Sequence, residues 1–360
     1  AQWMCKMQLS WHYALVAFLV LLSSNGFNYH HIMRTGDHDT ALALWLTLSI
    51  FSFWAYEFFE KKNKWLLLFF FFTALAVLTK SIMGFMMLPA IALYALIFTP
   101  FVKTLKNPFL YLGLGLMLGL IALFYGVIEK NHPGFLQLVW DNEVGGRYAE
   151  TIDNHAEPWY YYLWYFYFKG FTPYWIFTLI GIYFGLKSDN IKLRKATILI
   201  GISAFFYLIV ISSAGTKLPW YAAPLYPLFT ILTAIGLVKS ANEWAYPLLE
   251  KLLKSKLKKQ VVTSVFLFLL IAPGIVNVLQ RNAREHTSYN VEEYELALDK
   301  LHKEHPEYNN LRIHSKNEWY PSLVFVANKY SKIYNYEIEL ITSKDDVAVG
   351  DLLFGEYHPR

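Results

Sequence analysis

Cysteine is nearly absent. Cys5 stands alone among 360 residues, which excludes an internal disulfide framework and a thiolate metal cluster. Charge is scarce as well: Asp, Glu, Lys and Arg make up 16% of the chain against 56% hydrophobic residues, and the mean hydropathy is +0.30. That balance excludes a wholly water-soluble protein. No sequence period of about 20 to 50 residues recurs, so a solenoid or propeller array is not expected, and no signal-peptide pattern opens these residues. Aromatic residues, by contrast, are plentiful. They form 18% of the chain, with 26 Tyr and 12 Trp, and rings with one apolar and one polar end gather where a bilayer meets water.

Nine apolar stretches are long enough to be read as membrane helices, at residues 11–29, 40–59, 65–79, 82–99, 109–128, 159–186, 196–212, 220–238 and 261–279. The third is short, and a tight re-entrant turn is expected at Lys80. The sixth is overlong. Its aromatic first half, Trp159 to Phe168, reads as an interfacial belt, with a kink expected at Gly170 and Pro173 before the second half crosses. Taken alternately, the connecting loops separate the positive charge. One set holds Lys61, Lys62, Lys64, Lys103, Lys106, Lys187, Lys192, Arg194, Lys195, Lys239, Lys251, Lys254, Lys256, Lys258 and Lys259. The other, as far as residue 280, holds only Arg34, Lys80, Lys130, Arg147, Lys169 and Lys217. By the positive-inside rule the first set is cytoplasmic and the second faces outward. The expected fold class is therefore an α-helical polytopic membrane protein of about nine transmembrane helices.

Beyond residue 280 the composition changes. Charged residues become frequent, and the short apolar runs Leu311 to Ile313, Glu337 to Ile341 and Val347 to Phe354 alternate with helix-like segments such as Val291 to Glu304. The reading is a transmembrane domain over 1–280 and a small extracytoplasmic α/β domain over 281–360. The partners expected are membrane lipids, and no nucleic acid.

Ionisable groups near a membrane carry the information, because each is costly to insert. Nearly all sit on the outward set of loops: Arg34, Asp37 and Asp39 in HHIMRTGDHDT, Lys80 in LTKSIMG, Asp141, Glu143 and Arg147 in WDNEVGGRY, His155 and Glu157 in DNHAEPWYYY, and Lys217 with Tyr221 in GTKLPWY. Three cations and a tyrosine at the outer boundary suit a phosphate, most simply that of a lipid head. Asp37 and Asp39 precede a helix expected near Thr40, where an acid either caps the helix or accepts a proton from a reacting hydroxyl. Each residue also has a plainer reading. Asp39 as N-cap, Asp37 as a solvated acid paired with Arg34, and Lys217 as an interfacial anchor are the alternatives. Lys80 follows the apolar run Leu66 to Leu78 in a loop too short for a solvated basic patch, which favours a role in binding. His30, His31 and His38 lack the spacing of a metal set and read as a wetted loop.

HHIMRTGDHDTALALW, LTKSIMGFMMLP, WDNEVGGRYAETIDNHAEPWYYY and GTKLPWYAAPLYP, in that order and at those spacings, resemble the bacterial branch of the polyprenyl-phosphate-dependent GT-C glycosyltransferases. This branch contains the aminoarabinose transferases and the protein O-mannosyltransferase-like enzymes. The similarity runs from about Trp11 to Leu237. It implies an integral glycosyltransferase of the bacterial inner membrane, moving a sugar from a polyprenyl-phosphate donor to a lipid, protein or glycan acceptor on the outer face with inversion. On the same basis Lys80, Arg147 and Tyr221 match phosphate-binding positions, with Lys217 beside them. Asp39 matches an acid near the reaction centre, assisted by Asp37. Arg34, Glu143 and His155 are substrate-binding or structural candidates. No cofactor is assigned, though a divalent metal is compatible with the family. The family's principal catalytic aspartate stands in a first outer loop that these residues do not include. The nine segments would then be its last nine helices, and the fragment alone is expected to be inactive. The rival from another class is a polytopic lipid or sugar transporter or flippase, which usually places ionisable residues near the bilayer midplane and shows related halves.

Overall fold

The computed structural model describes residues 11–28, 31–33, 37–59, 62–148, 156–253, 258–285, 290–307, 310–315, 321–341 and 352–354. It divides into two units, Ala1–Leu279 and Gln280–Arg360.

The first unit is all helical. In chain order its helices are α1 (Trp11–Ser23), α2 (His38–Phe58), α3 (Lys62–Lys80), α4 (Leu88–Phe98), α5 (Phe101–Leu105), α6 (Pro108–Asn131), α7 (Phe135–Trp140), α8 (Tyr161–Tyr165), α9 (Tyr174–Leu186), α10 (Ile191–Ser213), α11 (Leu225–Ser240), α12 (Tyr246–Leu253) and α13 (Lys259–Glu285), which runs on past the unit boundary. Six stretches are long and apolar enough to cross a bilayer: His38–Phe58, Lys62–Phe85, Pro108–Asn131, Ile191–Ser213, Leu225–Leu253 and Lys259–Arg281. Three shorter apolar helices, Trp11–Ser23, Leu88–Phe98 and Tyr174–Leu186, fall on the remaining expected segments. The protein is thus a multi-pass membrane protein, and each of the nine stretches read from the sequence falls on a helix.

One detail differs from the sequence reading. The third helix is not short: it begins at Lys62 and ends at Lys80, followed by a 3-10 turn at Ser81–Phe85. Lys62 and Lys64 extend the helix beyond its apolar run, since lysine carries a favourable helical propensity. The sixth segment breaks as expected. A π-turn at Phe166–Gly170 and Pro173, which follows a cis Thr172–Pro173 bond, separate α8 from α9. Of its aromatic half, Trp159, Tyr160, Trp164, Tyr167 and Phe168 are exposed, whereas Tyr162, Tyr165 and Phe166 are buried.

Close packing comes from small residues and hydroxyl pairs, since apolar helices gain no hydrophobic free energy by leaving lipid for one another. On α9 and α11 the backbones nearly touch: a Cβ on Gly181 would lie 1.8 Å from the Leu232 carbonyl oxygen, and one on Gly236 2.0 Å from that of Phe177. Thr178 and Thr233 join the same two helices at 2.8 Å, and Ser49 and Thr73 join α2 to α3 at 2.8 Å. The apolar window of Leu225–Leu253 is 72% buried and that of Pro108–Asn131 only 11%. One is the axis of the bundle and the other its periphery.

The helix ends gather in two groups. At one, Trp54 Nε1 donates to the Lys192 carbonyl at 3.2 Å, Asn107 donates to Asn63 at 3.1 Å, and Glu57, Tyr94 and Lys195 meet. At the other, Gly215 N donates to the Tyr148 carbonyl at 2.8 Å, Ala156 and Thr216 form an antiparallel bridge, and Asp39 meets Lys80. These are the two sets of loops that the charge alternation separates.

The second unit places α14 (Asn290–Glu304) and α15 (Pro321–Tyr334) with a three-stranded sheet of β1 (Asn310–Ser315), β2 (Glu337–Ile341) and β3 (Leu352–Phe354). The strand order is β2-β1-β3, all parallel, with Leu311 opposite Ile338 and Ile313 opposite both Leu340 and Leu352. α15 is the crossover that parallel strands require. Leu298, Leu311, Ile313, Leu323, Val326, Tyr330 and Tyr336 form a core separate from that of the helical unit. Residues 347–351 of the third expected run lie outside the described residues.

Candidate functional site

Helix α2 begins two residues earlier than the sequence suggests. Its N-cap is Asp37, whose Oδ1 accepts from His38 N at 2.8 Å, so Asp39 is not the cap but a residue of the first turn. Turned inward and 1% exposed, Asp39 receives the Lys80 ammonium through both carboxylate oxygens, at 2.6 and 2.7 Å. Lys80, the last residue of α3, is 14% exposed, and its Nζ lies 5.1 Å from the centre of the Tyr221 ring. The ammonium is thus held between a carboxylate and an aromatic face where little water reaches it.

Tyr221 comes from the 3-10 turn Pro219–Ala222, and that turn is held from three sides. Tyr207 donates to the Tyr221 carbonyl at 3.1 Å. Tyr162 brackets Leu218, donating to its carbonyl at 3.1 Å and accepting from its N–H at 3.2 Å. His31 packs its ring on Trp220 with 4.1 Å between centroids, while its Nδ1 lies 2.6 Å from Asp37 Oδ2. Asp37 therefore pairs with His31; Arg34, its expected partner, lies outside the described residues. Burial pushes the Asp37 carboxyl up, but hydrogen bonds from His31 and from the His38 N–H outweigh it and hold the group below its usual range.

Beside this cluster opens an apolar cavity of about 350 Å³. Ile82, Met83, Phe85 and Met86, directly after Lys80, form one wall, and Val210, Ile211 and Ala214 another. Lys217, buried at 7% exposure, donates to the Ala214 carbonyl at 2.6 Å, which sets its ammonium at that second wall. Glu143 and Tyr148 complete the lining from the π-turn Asp141–Tyr148. Arg147 lies on the backbone of the same turn, but its side chain lies outside the described residues, as does the whole of His155. A second cavity of about 480 Å³ shares Ile82, Phe85 and Glu143 and extends between α3, α6 and α7 along Val77, Ile121 and Val139. Among the described residues no group of three or more His, Cys, Asp or Glu side chains is placed to hold a metal ion.

The structure thus brings Lys80, Asp39 and Tyr221 into one contact cluster, with Asp37 and His31 at its edge. Glu143 lines the adjoining cavity, Lys217 donates to Ala214 of its wall, and Arg147 belongs to the turn that supplies Glu143 and Tyr148. Sequence reasoning missed Tyr162, Tyr207 and Trp220, which position the Tyr221 turn. Tyr162 was hidden within an aromatic run, and the one available signal for Tyr207 was a phenol in the middle of an apolar helix.

Residues 4–125 match the family described as dolichyl-phosphate-mannose-protein mannosyltransferase. No curated protein matches the chain. Two solved structures share its fold. The crystal structure of ArnT from Cupriavidus metallidurans bound to undecaprenyl phosphate aligns with a TM-score of 0.58 at 16% identity, over 93% of this chain and 67% of that one. The apo state of the same protein aligns with a TM-score of 0.63 at 14% identity, over 92% and 67%. The chain has the GT-C fold, and these likenesses support a membrane glycosyltransferase and lend nothing to a transporter.

Proposed function

We propose that the protein moves a sugar from a polyprenyl-phosphate donor to an acceptor of the cell envelope, with the Lys80 end of the bundle facing outward. The observation that carries this reading is a half-buried lysine, paired with Asp39, whose next residues Ser81 and Ile82 line apolar cavities: an anionic head and a long hydrocarbon tail need those two environments side by side. A solved protein of the same fold, ArnT, is described with undecaprenyl phosphate bound, which agrees with the assignment.

In this reading Lys80, Lys217, Tyr221 and Arg147 hold the phosphate, and the tail lies along Ile82, Phe85 and Ile211. The acceptor oxygen attacks the anomeric carbon from the face opposite the phosphate. The sugar–phosphate bond breaks, the electron pair leaves on the phosphate, and the acceptor proton passes to a base. Fixed cations speed this step because negative charge grows on the leaving phosphate as the bond breaks. Asp39 has both oxygens engaged by Lys80, so its part here is to hold that ammonium in place until phosphate takes it over. The basic loops are then cytoplasmic, and the unit from Gln280 is extracytoplasmic.

The test is to express the complete gene and supply labelled polyprenyl-phospho-sugars. Label should enter an envelope fraction with the native protein and fail to enter with Lys80→Ala. The fraction labelled, whether lipid, protein or glycan, identifies the acceptor. Label transfer undiminished by Lys80→Ala would overturn the donor site.

A further inference from the structure

The His31–Asp37 pair takes no part in the step above, yet the structure holds it firmly at some conformational expense. His31 adopts φ 66°, a left-handed conformation that costs free energy in any residue with a side chain. Such a conformation persists only where the surroundings over-determine it, and here they do. Asp37 holds the imidazole at 2.6 Å while Asp37 itself caps α2. Thr40 Oγ1 donates to the carbonyl of Ile32, the next residue, at 2.5 Å. The ring these contacts present lies on Trp220, 4.1 Å between centroids. Trp220 is the neighbour of Tyr221, whose ring faces the Lys80 ammonium.

We propose that His31 is a positioning residue of the donor site: oriented by Asp37, its ring seats Trp220 and with it the turn that lays Tyr221 against Lys80, and protonation of His31 tightens that seat. The inference rests on the donor-site reading above. Imidazole is the side chain that changes charge between pH 5 and 8, and a hydrogen bond between an imidazolium and a carboxylate is stronger than one from neutral imidazole. Among the described residues the charged and titratable groups around it come from three elements. From α2 come Asp37, Asp39 and His38, whose Nδ1 is 3.5 Å from Asp37 Oδ1; from α3 comes Lys80; from the turn comes Tyr221. Protonated His31 therefore adds a positive charge at the edge of a phosphate site as well as a firmer hold on its wall. Both effects make donor binding stronger on the acid side.

The experiment measures binding of a polyprenyl phosphate without sugar to the full-length protein in phosphatidylcholine nanodiscs at pH 6 and pH 8. The phosphate titrates in this range too, so the reading is the difference between native protein and variants. His31→Gln keeps a hydrogen-bond donor towards Asp37 and loses the titration. Asp37→Asn keeps the helix cap, since Asn caps as well as Asp, and removes the counter-charge. The native protein should gain about fivefold more affinity on going from pH 8 to pH 6 than either variant does, the increment expected of one charge-assisted hydrogen bond. Adding Trp220→Ala to His31→Gln should cost far less than Trp220→Ala does alone, because the two act as one unit. Identical pH profiles for native protein and both variants overturn the proposal. Strictly additive losses for His31 and Trp220 overturn it as well, by removing the route through the turn. If Lys80→Ala binds the lipid phosphate normally, the donor-site reading itself has failed, an outcome separate from a failure of His31 alone.

Discussion

Asp39 and Glu57 lie on one helix, 18 residues apart, a rise of about 27 Å at 1.5 Å per residue. That nearly matches the thickness of a bilayer's hydrocarbon core. Each acid is buried, and each holds a lysine from elsewhere in the chain: Asp39 holds Lys80, and Glu57 holds Lys195. The surroundings differ. Glu57 also accepts from Tyr94 at 2.9 Å, and Lys195 also donates to the Phe98 carbonyl at 2.8 Å, so three helices are tied by one network. Among the described residues Asp39 and Lys80 pair with each other and with a tyrosine face, and the residues next to Lys80 open onto a cavity. The comparison teaches that a buried ion pair is not a site in itself. Lys195 gains nothing from a new anion because its acceptors are supplied by the fold; Lys80 can exchange its one acid for a phosphate.

The largest effect should come at the locked end. Glu57→Ala leaves the half-buried Lys195 without its acid and should destabilise the protein by about 3 kcal/mol, the low end for a buried pair, seen as a lowered Tm in detergent. A joint replacement by Leu and Met at Glu57 and Lys195 should recover most of that loss with transfer activity intact. The same experiment at the other end should split the two readouts. Asp39→Leu with Lys80→Met should recover stability, while the transfer rate stays about 10²–10³-fold down, the loss typical of one missing electrostatic stabiliser. If that pair retains activity, the two ends are alike and the contrast is broken.

Tyrosines sharpen it at a smaller scale. Tyr94→Phe removes a donor from Glu57 and should cost about 1–3 kcal/mol in unfolding, whereas Tyr221→Phe keeps the ring against Lys80 and should weaken donor binding. The smallest effect concerns Asp37. Its carboxyl is held below the usual range by His31 and the His38 N–H despite partial burial. Its contribution to stability is therefore present above about pH 4 and lost as pH falls through the lowered value. Asp37→Asn should flatten the acid limb of Tm against pH, and an unchanged limb would show the pair to be energetically idle.

Much of the membrane unit could be read from residue order, because apolar length and the alternation of lysines are properties of contiguous sequence. Lys80 stood out for the same reason: thirteen apolar or hydroxylic neighbours leave an ammonium conspicuous. Its partner did not, since Asp39 is 41 residues away, and Lys195 and Glu57 are separated by 138. Pairings at such range depend on which helices become neighbours, and no local pattern encodes that. The start of α2 was misjudged by two residues for a related reason. Both Asp37 and Asp39 can cap, and only the burial of Asp39 against α3 decides between them. The tyrosines that brace Tyr221 were invisible because their phenols act through backbone carbonyls, which every sequence contains.

One further consequence lies in α6, where only Gly113 and Met117 are buried while Ile121 and Tyr125 line the second cavity. A hydrocarbon tail settling there leaves one oily medium for another, so the solvent supplies almost no driving force. Discrimination between tails at that wall must come from contour, such as methyl branches, bends and length, and affinity must be anchored at the head.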